Sequence, residues 1–86
     1  MKIVWDEPKR LANLKKHRLD FKDLNEVFFD NAVIIPSYGN RSIAVGVSIR
    51  GVIVVVFVHY GREGVSVISM RPASRKERGL YEANRR

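Results

Sequence analysis

Arg71, Glu77 and Tyr81 are spaced so that a guanidinium, a carboxylate and a phenol can meet at one corner of an 86-residue chain. Pro72 pushes the residue before it into extended geometry, which makes Arg71 the expected last residue of a strand. Ser74 followed three residues later by Glu77 is a capping box. It starts a helix on which Glu77 and Tyr81, four apart, share a face. Such a corner suits phosphate chemistry. A guanidinium fork binds phosphate through two parallel hydrogen bonds. A carboxylate takes a proton if its surroundings tune it, and a phenol donates one or stacks on a base. Metal-free chemistry at a phosphate needs these functions: a nucleophile is deprotonated, the leaving oxygen is protonated, and the charge growing on phosphorus is stabilised. Arg62 joins Arg71 as a candidate for the last task. His17 is an alternative acid–base residue, because an imidazole ordinarily titrates near neutral pH, and His59 is a third candidate. Each of these residues also has a plain structural use: Glu77 as a cap, Tyr81 as an aromatic lid, Arg71 in a surface ion pair, His59 in packing at a strand end.

The elements that must hold this corner follow from the pattern of apolar residues. Residues 2–5 alternate as a short strand ended by Asp6-Glu7-Pro8, with Asp6 as N-cap and Pro8 in the first turn of a helix over residues 7–17. Leu11 and Leu14 are its inward residues. Lys9, Asn13, Lys16 and His17 make a polar stripe on its other face. Lys9, Asn13 and Lys16, together with Arg41, are candidates for holding an RNA backbone; a solvated helix surface is the plainer reading. Asp20 caps a second helix reaching Phe29, with Leu24, Val27 and Phe28 inward and Phe21 as a staple. A strand over residues 32–36 follows, put at a sheet edge by Pro36. Residues 41–49 alternate cleanly: Ile43, Val45, Val47 and Ile49 form a core face, and Ser42, Ala44, Gly46 and Ser48 a face of small side chains. After a tight turn at Arg50-Gly51, residues 52–58 are apolar on both faces and make the central strand. A turn over residues 61–64 leads to the last strand, residues 65–70. The three hairpin-linked strands form a small antiparallel meander. The fold class is therefore α+β, the sheet flanked by two N-terminal helices and one C-terminal helix. That last helix, from Arg75 to about Asn84, has only Leu80, Tyr81 and Ala83 to pack, so it is marginal or completed by a partner. Arg85 and Arg86 at its end suit the helix dipole.

A chain of this length makes one domain, residues 1–86, burying roughly 60% of its unfolded surface. Sixteen Lys and Arg stand against nine Asp and Glu, a net charge of +7 that suits a polyanion or an acidic partner. Ten of the sixteen cations are arginine, the side chain whose planar fork matches phosphate. The absence of cysteine excludes disulfides and the usual zinc spacings. Two separated histidines make no metal site, and no glycine-rich phosphate loop or Ser/His/Asp arrangement is present. No cofactor is expected. No apolar run approaches the ~18 residues of a membrane span, and the first residues lack the apolar stretch of a signal peptide. A soluble cytoplasmic protein is expected, either an enzyme acting on a phosphate at the Arg71 corner, a non-catalytic nucleic-acid binder or a protein-interaction module.

Two ordered motifs sharpen that choice. Trp5-Asp6-x-x-Lys9-x-x-x-Asn13-x-x-Lys16-His17, continued by Leu19-x-Phe21 and Val27-Phe28, is followed by Ile68-Ser69-x-Arg71-x-Ala73-x-x-x-Glu77-x-x-x-Tyr81. Together they cover nearly the whole chain and resemble the BrnT toxin family of bacterial type II toxin–antitoxin systems. The chain departs from the family pattern at Arg18, where glycine commonly follows the histidine, and at Pro72. The resemblance implies a RelE-like ribonuclease fold and a toxin that cleaves RNA and blocks translation. It also implies a BrnA-type antitoxin with a ribbon-helix-helix part, through which the complex reaches operator DNA.

Overall fold

The computed structural model describes residues 1–85; Arg86, and the charge expected of it at the helix end, lie outside the described residues. Five strands, β1 (Lys2–Trp5), β2 (Val33–Pro36), β3 (Arg41–Ser48), β4 (Gly51–Tyr60) and β5 (Gly64–Pro72), form one sheet in the order β1-β5-β4-β3-β2. The apolar strand β4 is central, as its two-sided hydrophobicity predicts, and β2 lies at an edge. From β2 to β5 every pairing is antiparallel, but β1 pairs with β5 in parallel. The sheet is therefore mixed, which corrects the expectation of a purely antiparallel meander. Alternation over four residues says that β1 is a strand but carries no information on the direction of a partner some 60 residues away.

α1 (Glu7–His17) follows β1 and packs beside β5. Asp6 occupies the N-cap position without a side-chain hydrogen bond, and Arg18 ends the helix with φ 58°, its N–H bonded to the Leu14 carbonyl at 2.8 Å. The expected second helix is broken in two. Asp20 accepts from Lys22 N and caps a 3₁₀ turn, Phe21–Asp23, whereas Asn25 accepts from Phe28 N and starts α2, Glu26–Asn31. Two competing caps five residues apart split what apolar spacing alone joins. The split buries Phe21, Leu24, Phe28 and Phe29 and leaves Val27 exposed. Leu11, expected inside, is likewise half exposed.

The face of β3 expected to be core is so only at Ile43 and Val45, and the face of small side chains is packed as well. The small side chains of β3 lie under the N-terminal helices, where Ala44 is fully buried and a Cβ on Gly46 would stand 2.9 Å from the Phe28 ring. Small residues here make room for a layer containing Phe21, Phe28, Phe29 and Phe57, each contributing about 2 kcal/mol by burial. Ile43 and Val45 point the other way, into a second cluster with Val33, Ile35, Val52, Val54 and Ala73, closed by Tyr81 of α3 (Arg75–Asn84). Val47 and Ile49, expected in the core, are exposed. On β5 a bulge leaves Ile68 unpaired, because Val56 faces Ser69 and Phe57 faces Val67. The strand then runs through Arg71 to Pro72, and Ala73 N still bonds to the Val52 carbonyl at 3.0 Å.

Candidate active site

The capping box is formed as the sequence predicts. Ser74 Oγ accepts from Glu77 N at 3.2 Å, and Glu77 Oε1 accepts from Ser74 N at 2.9 Å. The same carboxylate also grips Arg71: Nη1 donates to Oε1 at 2.7 Å and Nη2 to Oε2 at 2.8 Å, a fork-to-fork pair. Arg71 Nη1 further reaches the Pro72 carbonyl at 3.3 Å. The guanidinium is thus fixed between the end of β5 and the first turn of α3, with its side chain 41% exposed. Its hydrogen bonds, helped by the Ser74 N–H and opposed by burial, hold the Glu77 carboxyl down at about 2. A carboxylate held so low is a poor proton acceptor at neutral pH. Tyr81 stands one turn further along α3, its ring buried on Val45 and Val54. No buried side-chain oxygen among the described residues lacks a partner, so the phenol oxygen, which bonds to none of them, opens to solvent.

The other candidates do not join this corner. Arg62 lies in the β4–β5 turn, at the opposite end of β5 from Arg71, more than ~20 Å away at about 3.3 Å per residue. The two arginines expected to share one phosphate therefore cannot do so in this fold. His59 is exposed at that distant end, its ring 5.7 Å from the Phe57 ring. Arg41 is in the same region, paired with Val58. His17 is half-buried at the C-terminal end of α1, while Lys9 and Lys16 are exposed on it.

Asn13 is not part of an exposed stripe. It is buried; its Oδ1 accepts from Met70 N at 3.0 Å, and its Nδ2 donates to the Leu19 carbonyl at 3.2 Å. β1 pairs with β5 only from Gly64 to Val67, so the β5 edge beyond it needs another acceptor, and the Asn13 amide stands in for a peptide group. Its expected contact with RNA is overturned by that geometry. Arg10, which sequence reasoning passed over, is buried beside it. Its Nε and Nη2 donate to the two oxygens of Glu7 at 2.7 and 2.8 Å, and its Nη1 donates to Asp20 at 3.1 and 3.2 Å. Trp5 Nε1 also donates to Glu7, at 3.1 Å. Arg10 holds the Glu7 carboxyl down at about 2, and the Lys22 N–H followed by Arg10 lowers Asp20. The i,i+3 spacing of Glu7 and Arg10 was the available signal.

Residues 5–77 match the model of a family described as the ribonuclease toxin, BrnT, of type II toxin–antitoxin systems. The matched span contains the Arg10–Asn13 cluster and ends on Glu77. Among solved structures, the 1.1 Å crystal structure of the Brucella abortus ribonuclease toxin BrnT is similar, with 49% identity, a TM-score of 0.81, and coverage of 87% of this chain and 99% of that one. The comparison with curated proteins gave no match. A match over most of the chain, in both sequence and structure, establishes that it belongs to the BrnT family of ribonuclease toxins of type II toxin–antitoxin systems.

Proposed function

We propose that this chain is a metal-independent endoribonuclease that blocks translation in the cytoplasm by cutting RNA at the Arg71 corner, on a scaffold related to the RelE-like ribonucleases. The observation that carries the reading is the Arg71–Glu77 fork, a preorganised cation at the surface whose position costs nothing to establish when a phosphate arrives. Arg71 stabilises the charge that develops on phosphorus as the 2′-hydroxyl attacks. Glu77, held near 2, serves as the clamp for that guanidinium and not as the base. Proton transfer falls to the Tyr81 hydroxyl, with His17 at the C-terminal end of α1 as the alternative acid–base residue. The donor set at the corner, an arginine, a carboxylate already paired and a phenol, is suited to polarising a phosphate and ill suited to coordinating Mg²⁺. Lys9 and Lys16 contribute backbone attraction.

The protein partner is a BrnA-type antitoxin with a ribbon-helix-helix part, and contact with operator DNA runs through that complex. The family's membership in type II systems and the net charge of +7 support an acidic protein partner. The decisive experiment incubates purified protein with single-stranded RNA in EDTA. Shortened RNA is the expected result, whereas RNA that is retarded but intact reduces the chain to a binder. Expression of the chain alone should arrest growth, and co-expression of the neighbouring small gene should relieve it.

A further inference from the structure

No strand of the sheet contains an aspartate or a glutamate, and all three of its lysine and arginine residues point to one side. Ile3 and Trp5 of β1, Phe57 of β4 and Met70 of β5 face the N-terminal helices, so by alternation Lys2, Tyr60 and Arg71 face away from them, as does Arg41, two residues before Ile43. On this open side the residues fall in rows set by the register. Arg71, Val54 and Val45 form the row beneath Tyr81. Ser69, Val56 and Ile43 form the next, then Val4, Ser66, Val58 and Arg41, and finally Lys2, Gly64 and Tyr60. Beyond the Tyr81 row the valines, Ile43 and Ser66 are only half-buried.

The last row is built around a tyrosine. Tyr60 is 49% exposed; a Cβ on Gly64 would stand 2.5 Å from the Tyr60 carbonyl oxygen, 3.0 Å from that of Lys2 and 3.3 Å from the ring's Cδ2, so the glycine serves the close main-chain approach first and the ring lies against it. The Lys2 ammonium stands 5.7 Å from the ring centroid. A half-open aromatic ring beside a lysine, on a sheet whose strands carry no carboxylate, is the combination that single-stranded nucleic-acid sites use. Six residues of β4 separate Tyr60 from Val54, the partner of Arg71, a distance of roughly 20 Å.

We propose that the open sheet face is the track of a single RNA strand, and that Tyr60 is a platform on which one base stacks while Lys2 and Arg41 hold the adjoining phosphates, remote from the cleavage corner. This rests on the RNA reading given above and adds a specificity-determining contact that the Arg71 corner does not supply. Tyr60 selects for strand length and for an unpaired base at a fixed offset from the cut.

The test is binding, by fluorescence anisotropy, of a labelled single strand of twelve nucleotides that is 2′-O-methylated throughout and so cannot be cleaved. Tyr60→Ala should weaken binding about 10-fold while Tyr60→Phe binds like the wild type, because stacking needs the ring and not the hydroxyl. An abasic residue walked along the strand should cost affinity at one position in the wild type and in Tyr60→Phe, and nothing there in Tyr60→Ala. Equal affinity of the wild type and Tyr60→Ala, or an equal loss for Tyr60→Phe, overturns the platform. If Tyr60→Ala does not fold, an abasic walk that finds no sensitive position in the wild type overturns it by itself. Wild-type protein that binds this strand yet leaves ordinary RNA intact refutes the nuclease reading and leaves the platform standing. Absence of any binding to the strand, with a protein partner still captured by the open face, overturns the platform.

Discussion

Two arginines, one on β5 and one on the helix packed beside it, each grip a glutamate through two nitrogens, yet they are built for different ends. Arg10 is buried, spends Nε, Nη1 and Nη2 on two carboxylates, and ties β1, α1 and the 3₁₀ turn together next to the Asn13 amide that closes the β5 edge. Arg71 is half exposed, spends two nitrogens on one carboxylate, and keeps its Nε and outer face toward solvent beside the open sheet. A guanidinium with all three nitrogens engaged is a rivet. One clamped on a single side remains free to meet a phosphate.

Mutation should separate the two clusters. The largest effect is expected at Arg71: Arg71→Ala and Arg71→Lys should each lower RNA cleavage by about 10²-fold, the cost of losing one preorganised donor. Arg10→Lys should instead lower the melting temperature and leave the cleavage rate of the folded fraction unchanged. Folded Arg71→Ala that cleaves at the wild-type rate would break the comparison. Next comes Asn13→Ala, which strands the Met70 N–H and the Leu19 carbonyl and should cost about 2 kcal/mol in urea unfolding. RNA affinity of the folded protein should stay the same. Lys9→Ala with Lys16→Ala should by contrast flatten the salt dependence of RNA binding, by about one unit of slope for every phosphate no longer neutralised.

Acid sharpens the comparison further. The Glu77 carboxyl lies at about 2 in the folded chain, below its ordinary 4.5, so its contribution is complete above pH 4.5 and is lost as the pH falls toward 2. Screened by solvent, that contribution is about 1 kcal/mol. Glu77→Gln keeps a capping-box acceptor but loses the charge, so its stability curve should be flatter between pH 4.5 and 2 than that of the wild type. The acid dependence that remains should belong to Glu7 and Asp20. The smallest effect is expected at Arg18, a non-glycine residue at φ 58°. Arg18→Gly should raise stability by roughly 0.5–1 kcal/mol in thermal unfolding, by relieving the left-handed strain.

The sequence made the corner legible because its signals are local: a proline, a serine and a glutamate three residues apart, and a tyrosine one turn on. The bounds of α1 and the central place of β4 were legible for the same reason, since an N-terminal proline and a two-sided apolar run are read without neighbours. What escaped was decided across the fold. The parallel seat of β1 depends on a strand that arrives some 60 residues later. The burial of Ala44 and Gly46 depends on Phe28 of α2, which claims the small face of β3 although Ile43 and Val45 look the more apolar. Asn13 reads as a polar helix position until the end of β1 exposes the Met70 N–H that it must satisfy.

The bulge at Ile68 has a further bearing on the chemistry. Val65 and Val67 face the helices, so strict alternation would send residues 69 and 71 there as well. The single unpaired residue resets the count, turning Met70 inward and Arg71 outward. In this strand the number of residues is itself information about charge placement. Deleting Ile68 would leave a regular ladder with Met70 still inward and Arg71 still outward, whereas drawing Ile68 into the pairing would turn the guanidinium toward the layer of phenylalanines and leave Glu77 with nothing to hold.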